Sequence, residues 1–180
     1  KAGVEAIAIC FMHAYRNPSH ELRAREIVRQ ILPNAYISIS SEVLPEFREY
    51  ERLSTTSLNA MIGPRMQTYL QRFLERVDAM GIPSEPLTIH SNGGLMSVQT
   101  VRDFPVRTCL SGPAAGVVGA AVLGRIAGFP NLVTFDVGGT STDVSLIDQG
   151  RPIFTSNRSV AGYPVKTPMV DIHVIGAGGG

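Results

Sequence analysis

The feature that most constrains this chain is a glycine-rich turn between two apolar segments, within residues 132–147. The turn runs from Asp136 to Asp143 with the pattern Asp-x-Gly-Gly-Thr-x-x-Asp. Apolar residues precede and follow it, which predicts strands at residues 132–136 and 142–148. These two strands and their turn are therefore expected to form a β-hairpin. A helix over residues 132–147 would contradict both the predicted fold and any binding site built on this turn.

The composition of the turn favours the binding of a phosphate group. Gly138 and Gly139 permit positive φ and carry no Cβ atom, so that successive backbone N–H groups can point at one anion close to the chain. Thr140 and Ser141 add hydroxyl donors beside the glycines. A polyphosphate fits this set of donors.

Two carboxylates flank the turn. Asp136 ends the first strand and Asp143 lies across the turn, where a Mg²⁺ ion that bridges phosphate oxygens needs hard oxygen ligands or water held by them. We interpret both as catalytic residues and Asp136 as the metal ligand. The alternative is a tight hairpin whose aspartates cap their own turn, which is the better interpretation of a bare Gly-Gly hairpin. Three hydroxyl residues and two acids crowd this turn, and they favour phosphate binding.

The N-terminal part of the chain predicts a βαβ unit. Residues 4–12 form a continuous apolar run, short enough to be a buried parallel strand. Asn17 and Pro18 are typical of an N-cap and a first-turn proline, and they predict a helix near residues 19–32. Residues 36–40 alternate in polarity and predict a second strand. This order of elements implies a right-handed crossover.

The rest of the chain alternates between helices and short strands. Apolar residues recur at spacings of three and four over residues 53–80, which is typical of an amphipathic helix. Pro64 is expected to kink or restart it, so the helix is predicted at residues 64–80. Residues 87–90 predict a strand, and the small apolar residues 114–126 predict a helix. The pattern indicates the α/β class.

Composition excludes several classes of protein. The 180 residues are 44% hydrophobic and 17% charged, as in globular proteins and unlike disordered or coiled-coil chains. A net charge of +1 without runs of like charge does not indicate binding to nucleic acid or to an anionic membrane. No apolar stretch approaches the ~20 residues of a membrane span. Two distant cysteines, expected to be reduced, favour a cytoplasmic protein.

Three further groups of residues are weaker candidates for a site. They are the charged run Glu49, Glu51 and Arg52, the loop Ser91, Asn92 and Gly93, and the pair Asp171 and His173. The charged run is expected to face solvent or to pair locally. The loop follows a predicted strand, and ligand contact and a plain turn are equally open there. For the pair, a place in an active cleft and a mutually satisfied structural pair both stay open.

The turn resembles a phosphate motif of a known ATPase superfamily. Asp136 to Thr140, followed by Asp143, is similar to the motif of the actin, sugar-kinase and heat-shock chaperone ATPases. In that superfamily two ribonuclease-H-like lobes close on Mg-ATP. The resemblance implies a partial two-lobe fold of this kind, with a mixed sheet and flanking helices.

A more specific resemblance covers nearly the whole chain. Residues 46–56, 90–95, 111–116 and 171–180 together resemble the A part of the hydantoinase/oxoprolinase family. That family includes N-methylhydantoinases, 5-oxoprolinases and subunits of acetone-type carboxylases. Gly112 lies in one of these motifs, and the resemblance implies that it binds cofactor together with the residues of the turn.

The resemblance implies an activity and partners. ATP and Mg²⁺ would serve to phosphorylate the carbonyl oxygen of a cyclic amide of the hydantoin or 5-oxoproline type before hydrolysis. A B-type subunit or fused B domain would complete a hetero-oligomer. The alternatives are a ketone carboxylase subunit, a sugar-kinase-like phosphotransferase and a non-enzymatic nucleotide switch.

The resemblance also implies a division of the chain. Residues 1–80 are expected to hold the end of the first lobe and a crossing helix, and residues 81–180 the start of the second lobe. The superfamily's earlier phosphate motif and later adenosine motif do not occur in these 180 residues. The chain starts at Lys1 and ends in a glycine run, so we expect a fragment of a longer protein that is inactive in isolation.

Overall fold

The computed structural model describes residues 3–160 and 162–180, which form a mixed α/β structure in two compact units. The first unit contains the described residues up to Thr88 together with Ser97–Val106 and Asn157–Lys166. The second contains Ile89–Met96, Arg107–Ser156 and Thr167–Gly180. The α/β class is confirmed, and the assignment of residues 1–80 and 81–180 to two lobes stays a prediction.

The predicted βαβ unit is confirmed in the first unit. Strand β1 (Ala6–Ile9) and strand β2 (Tyr36–Ile39) pair in parallel, and helix α1 (Ser19–Ile31) connects them. Strand β1 is shorter than the predicted residues 4–12. The N–H of Phe11 donates to the carboxylate of Glu21, and the carbonyl oxygen of Phe11 accepts from Arg52. Because both backbone groups of Phe11 are bound by side chains, they do not pair with a neighbouring strand. The oxygen Oδ1 of Asn17 accepts a hydrogen bond from the N–H of the first helical residue.

The long helix α3 (Glu49–Ala79) corrects the prediction of a helix at residues 64–80. Pro64 lies inside this helix and does not end it. The predicted start at residue 64 came from Pro64 alone, since the apolar spacing already covered residues 53–80. The buried face of the first half is mostly polar. At spacings of three and four, that face carries Arg52, Thr55, Thr56, Asn59 and Gly63.

Helix α3 packs on β2 through a glycine and an asparagine. A Cβ atom at Gly63 would lie 2.3 Å from the ring of Tyr36, so the helix backbone sits directly against that ring. The side chain of Asn59 donates to Ser38 Oγ at 2.9 Å and accepts from the N–H of Val106 at 3.1 Å. Tyr36 Oη lies 2.9 Å from the carbonyl oxygen of Asp103. These contacts bind the helix to the strand and to the segment that follows residue 97.

Burial of Tyr36 predicts a loss of stability in alkali. Removal from solvent raises the pKa of Tyr36 to about 12, from the ordinary value of 10. Above pH 10 the unfolded chain releases this proton and the folded chain does not, so the free energy of unfolding should fall by about 2–3 kcal/mol between pH 10 and pH 12. Urea unfolding at several pH values measures this slope. Tyr36→Phe should flatten the fall in stability with pH, and the control Tyr50→Phe, at an exposed tyrosine, should not. Equal slopes in the parent protein and in both variants would contradict the raised pKa of Tyr36.

Several short elements of the chain have no signal in the sequence pattern. In the first unit the hairpin of β9 (Arg158–Val160) and β10 (Tyr163–Val165) packs on α3, where the N–H of Lys166 donates to Thr55 Oγ1 at 3.0 Å. The other short elements without such a signal are α2 (Ser40–Val43), β4 (Leu95–Ser97), α4 (Val98–Asp103), a 3₁₀ turn (Pro105–Thr108), β8 (Phe154–Thr155) and β11 (Met169–Val170). Strand β3 (Leu87–Ile89) confirms the prediction for residues 87–90.

The second unit contains the predicted hairpin. Strands β5 (Leu132–Val137) and β6 (Thr142–Asp148) pair antiparallel, and β12 (Ile172–Ile175) pairs with the other edge of β6. The short strand β7 (Arg151–Pro152) also pairs with β6. Helix α5 (Ser111–Ile126) begins slightly earlier than predicted and packs on one face of this sheet. Their shared core consists of Ala114, Val117, Ala121, Ile147, Val170 and Ile172.

The structure also bears on the two cysteines and on membrane-spanning helices. Cys10 and Cys109 are both free thiols, as predicted. Within residues 3–160 and 162–180, no helix has the length and apolar character that crossing a membrane requires.

Candidate functional site

The two predicted carboxylates face each other across the hairpin. Asp136 on β5 and Asp143 on β6 are direct partners in the antiparallel register, so their Cβ atoms lie about 5 Å apart on the same face of the sheet. Asp136 is exposed and Asp143 is half-buried. Like charges directly opposite each other destabilise a strand pair. A cation between them removes that penalty, which is the electrostatic reason to expect one here.

The carboxylates lie on the face of the sheet that α5 covers. Residues alternate between faces along β5, so Asp136 shares its face with Leu132, which packs against the core of α5. A Cβ atom at Gly124, near the end of α5, would lie 2.4 Å from Leu132 Cδ1. The helix therefore ends beside the start of β5.

The first turn of α5 contributes a positive helix terminus. It has no acidic residue and no side-chain cap, so the first N–H groups of the helix are left for another acceptor. Gly112 lies in this turn, and a Cβ atom there would meet no atom within 4 Å. An anion in front of the turn would be favoured by the helix dipole. This is where the structure places the predicted cofactor residue Gly112.

The glycine-rich turn presents unused backbone donors. The N–H of Gly138 donates to the carbonyl oxygen of Ser141 at 2.8 Å and closes the turn. In the described part of the chain, the N–H groups of Gly139, Thr140 and Ser141 have no protein acceptor. Consecutive free N–H groups in a turn form a concave site for an anion. Thr140 is exposed and Ser141 is half-buried, so both side chains remain close to solvent.

The expected positive φ at the two glycines is wrong. Neither Gly138 nor Gly139 has a positive φ. The turn needs glycine for space, because a Cβ atom at Gly138 would lie 3.3 Å from the carbonyl oxygen of Ser141. A Cβ atom at Gly139 would meet no protein atom within 4 Å, so the space beside this residue is open.

The donor set fits a Mg²⁺ ion that keeps most of its water. Mg²⁺ in nucleotide sites is held by one or two carboxylates together with phosphate oxygens and waters. Asp136 and Asp143 supply two carboxylates next to the free N–H groups. No group of three or more His, Cys, Asp or Glu side chains that could hold a metal occurs among the residues that the structure describes. The pair therefore suits a phosphate-bound Mg²⁺ better than a metal held by protein ligands alone.

The glycine run at residues 176–180 lies directly on the turn. The N–H of Gly179 donates to the carbonyl oxygen of Gly138 at 3.0 Å, and the N–H of Gly180 donates to that of Gly139 at 3.0 Å. Thr142 Oγ1 donates to the carbonyl oxygen of Ala177 at 2.6 Å. Sequence reasoning identified the run as a loop and missed this contact, because its partner lies more than thirty residues earlier in the chain.

Arg52 overturns the expectation that the charged run faces solvent. Its side chain is fully buried. It donates to the carbonyl oxygens of Glu46 at 2.9 Å and Phe11 at 2.8 Å, and its guanidinium carbon lies 5.4 Å from the centre of the Tyr15 ring. The carboxylate of Glu49 is exposed and 4.0 Å away, as expected for local pairing. Arg52 thus has a structural role in the first unit.

The Ser91 loop forms a self-satisfied turn. Ser91 Oγ is buried and donates to the carbonyl oxygen of Arg107. The N–H of Asn92 donates to His90 Nδ1 at 3.0 Å, and Asn92 Oδ1 accepts from the N–H of Gly94 at 2.9 Å. Burial, with the charge of Arg107 as the second cause, lowers the pKa of His90 below its ordinary value. These hydrogen bonds favour a plain turn over a loop that contacts a ligand.

Asp171 and His173 do not join the two carboxylates of the hairpin. His173 on β12 is the register partner of Val144, so it points to the face of the sheet opposite to that of Asp143. The backbone of Asp171 accepts from Ser145 Oγ at 2.7 Å and donates to Ile153. No hydrogen bond or ion pair joins the side chains of these two described residues.

The sequence pattern of the hydantoinase/oxoprolinase family matches residues 52–180, and the pattern of the N-terminal region of the same family matches residues 1–32. Among characterised proteins, the caprolactamase alpha subunit of Pseudomonas jessenii is 37% identical over 98% of this chain and 25% of its own length. The 5-oxoprolinase of Dictyostelium discoideum is 32% identical over 99% of this chain and 15% of its own length.

Two solved structures have the same fold over almost the whole chain. The ATP-dependent caprolactamase of Pseudomonas jessenii has a TM-score of 0.87 and 37% identity, covering 98% of this chain and 26% of that one. Nucleotide-free acetone carboxylase has a TM-score of 0.85 and 32% identity, covering 97% and 25%. The chain thus spans about a quarter of the length of these relatives.

Proposed function

We propose that this chain, which belongs to the hydantoinase/oxoprolinase family, supplies one side of the ATP-phosphate site of an enzyme that hydrolyses cyclic amides. The observation that carries the proposal is the facing pair Asp136 and Asp143 beside three consecutive N–H groups without a protein acceptor. Neither feature contributes to the stability of the hairpin, and together they match a phosphate group with its Mg²⁺.

The proposed reaction activates the carbonyl oxygen of a hydantoin or 5-oxoproline ring. The oxygen attacks the γ-phosphorus of ATP and ADP leaves, which makes the ring carbon a better electrophile than that of the free amide. Water then attacks the ring carbon, and the C–N bond breaks, which opens the ring to an acyl phosphate and an amine or urea nitrogen. A second water hydrolyses the acyl phosphate to the carboxylate and phosphate. ATP thus supplies the driving force that hydrolysis of a five-membered amide ring lacks.

The residues of the site have separate roles in this scheme. The N–H groups of Gly139, Thr140 and Ser141 hold phosphate oxygens and stabilise the charge of the transferring group. Asp136, and Asp143 through water, would hold Mg²⁺, which supplies charge neutralisation between the β- and γ-phosphates when it is bound. We also assign Gly112 and the first turn of α5 to nucleotide binding, because this turn has no side-chain cap and its dipole favours an anion.

The activity belongs to a larger assembly in this proposal. The caprolactamase relative is named as an alpha subunit and the acetone carboxylase relative of Xanthobacter autotrophicus as a beta subunit. Because the chain spans about a quarter of each, we assign the activity to the complete polypeptide that contains it, together with a B-type subunit or fused B domain. By the same argument, residues 1–180 alone should bind ATP weakly.

A ketone carboxylase is the second candidate. Acetone carboxylase has the same fold over this chain, and the acetophenone carboxylase gamma subunit of Aromatoleum aromaticum is 32% identical to it. The same phosphate site would then act on a ketone oxygen, and the activated product would be carboxylated in place of being hydrolysed.

A substrate panel separates these functions. The complete polypeptide with its partner subunit is incubated with Mg-ATP and a hydantoin, 5-oxoproline, caprolactam or a ketone, with and without bicarbonate. We expect ADP to form in proportion to ring opening of one cyclic amide, without a need for bicarbonate. ADP formation that requires a ketone and bicarbonate would identify the carboxylase. ATP consumption that no small molecule stimulates would contradict both enzymes and indicate a nucleotide switch.

A further inference from the structure

We propose that residues Ala177–Gly180, called the strap below, are a positioning element that aims the phosphate-binding N–H groups of the glycine-rich turn. The proposal rests on the proposed function, since it assigns these N–H groups to the phosphates of ATP. It adds a second chain segment to the site, one that holds the turn and touches no ligand itself.

The hydrogen bonds of the strap set the orientation of two peptide planes. The N–H groups of Gly179 and Gly180 bind the carbonyl oxygens of Gly138 and Gly139, so both carbonyls point toward the strap. In a planar trans peptide the N–H points opposite to the C=O. The N–H of Gly139 belongs to the first of these planes and the N–H of Thr140 to the second. Both must therefore point away from the strap.

The two N–H groups that the strap directs are among those without a protein acceptor. The N–H groups of Gly139 and Thr140 make no hydrogen bond within the described chain. Without the strap, the carbonyls of Gly138 and Gly139 would be free to turn, and each flip would exchange a donor for an acceptor on the ligand side. A carbonyl oxygen there would repel a phosphate. Binding would then require the turn to be reordered first.

Gly178 makes the close approach possible. A Cβ atom at Gly178 would lie 2.4 Å from the carbonyl carbon and oxygen of Gly139 and 2.5 Å from the nitrogen of Thr140. These atoms are backbone, so they cannot move aside as the end of a flexible side chain can. The peptide between Gly139 and Thr140 thus lies flat against the Cα atom of Gly178. Any larger residue at position 178 must push the turn away or detach the strap.

The first residue of the strap, Ala177, is anchored to the sheet by two hydrogen bonds. Thr142 Oγ1, at the start of β6, donates to the carbonyl oxygen of Ala177 at 2.6 Å. The N–H of Ala177 donates to the carbonyl oxygen of Ile175, the last residue of β12. Strands β12 and β6 are paired up to Ile175 and Thr142, so the strap leaves the sheet beside the turn that it holds.

The test compares Gly178→Ala with Gly176→Ala in the complete polypeptide with its partner subunit. Gly176 lies in the same glycine run just before the strap, and a Cβ atom there meets nothing within 4 Å. Calorimetry measures the Kd of Mg-ATP, and steady-state kinetics gives the KM of ATP and of the cyclic amide. For Gly178→Ala we expect the Kd and KM of ATP to rise roughly 10- to 100-fold. The reason is that the N–H groups of Gly139 and Thr140 would no longer point at the charged phosphate, so two hydrogen bonds would be weakened. The KM of the amide should not change, and Gly176→Ala should match the parent protein.

A purely structural role for Gly178 would give a different result. A fraction of unfolded enzyme lowers kcat and leaves the Kd of Mg-ATP unchanged, and that outcome would overturn the proposal. If Gly178→Ala does not fold, Thr142→Val removes the anchor of the strap without adding bulk, and it should raise the Kd of Mg-ATP with little change in Tm. An unchanged Kd in Thr142→Val would overturn the proposal in the same way.

The proposed function and the strap fail in distinguishable ways. If the parent protein does not bind Mg-ATP at all, the proposed function is wrong. If the parent binds Mg-ATP and Asp136→Asn weakens ATP-dependent turnover while Gly178→Ala binds ATP like the parent, only the strap is wrong.

Discussion

Asp136→Asn is expected to lower the ATP-dependent turnover of the complete polypeptide by about 100-fold or more while the protein stays folded. Asparagine keeps the size of the side chain and one carbonyl oxygen, and it loses the charge that would hold hydrated Mg²⁺. The substitution also removes one of two like charges that face each other across β5 and β6. The Tm should therefore stay the same or rise slightly, since relief of such a pair stabilises a strand pair.

Two further substitutions control this experiment. Asp148→Asn removes an exposed carboxylate at the other end of β6 and should leave turnover within about twofold of the parent, because surface changes away from a site have small effects. Gly139→Val places a branched side chain in the open space of the turn and should abolish turnover, as it would occupy the position of the phosphate. Near-native turnover in Asp136→Asn, with an unchanged Tm, would show that the hairpin has no role in ATP use.

Arg52→Met is expected to destabilise the first unit by about 2–4 kcal/mol. Methionine fills part of the volume and donates no hydrogen bond. The carbonyl oxygens of Glu46 and Phe11 would lose the guanidinium donors that they accept from at 2.9 and 2.8 Å. The contact with the Tyr15 ring would also be lost. Because Arg52 is fully buried, water cannot replace these donors without opening the packing around α3.

Hydrogen–deuterium exchange measures this effect locally. In Arg52→Met, amides in the first half of α3 should lose protection by roughly 30-fold to 1,000-fold, which corresponds to the expected free energy. Arg72→Met is the matched control, since Arg72 is exposed on the same helix, and its exchange should match that of the parent. Equal protection in Arg52→Met and Arg72→Met would contradict a structural role for the buried guanidinium.

Local sequence patterns predicted the elements whose apolar residues and end signals lie close together in the chain. The apolar residues on both sides of the glycine-rich turn predicted β5 and β6, and the register of the two strands places Asp136 opposite Asp143. The βαβ unit followed from the apolar run before His13 and from Asn17 and Pro18 just before the helix start at Ser19. In each case the residues that give the pattern belong to the predicted strand or helix itself or lie within a few residues of it. The use of the site by ATP stays a prediction.

The first half of α3 shows where this kind of reasoning fails. Its buried face carries Arg52, Thr55 and Asn59, residues that a hydrophobic pattern assigns to the surface. They are buried because distant backbone and polar groups, such as the carbonyl of Phe11 and Ser38 Oγ, satisfy them. A sequence pattern records the polarity of each residue and carries no record of such partners.

The sequence by itself therefore determined the α/β class and the hairpin with its two carboxylates. The tertiary structure alone decided that Arg52 is buried and that residues 177–180 hold the turn. Both depend on backbone groups that are far away along the chain, and backbone groups are the same in every residue except proline. The types of residue in a sequence therefore do not show which backbone groups are hydrogen-bonded to each other or to a distant side chain. Only the folded chain shows these partners.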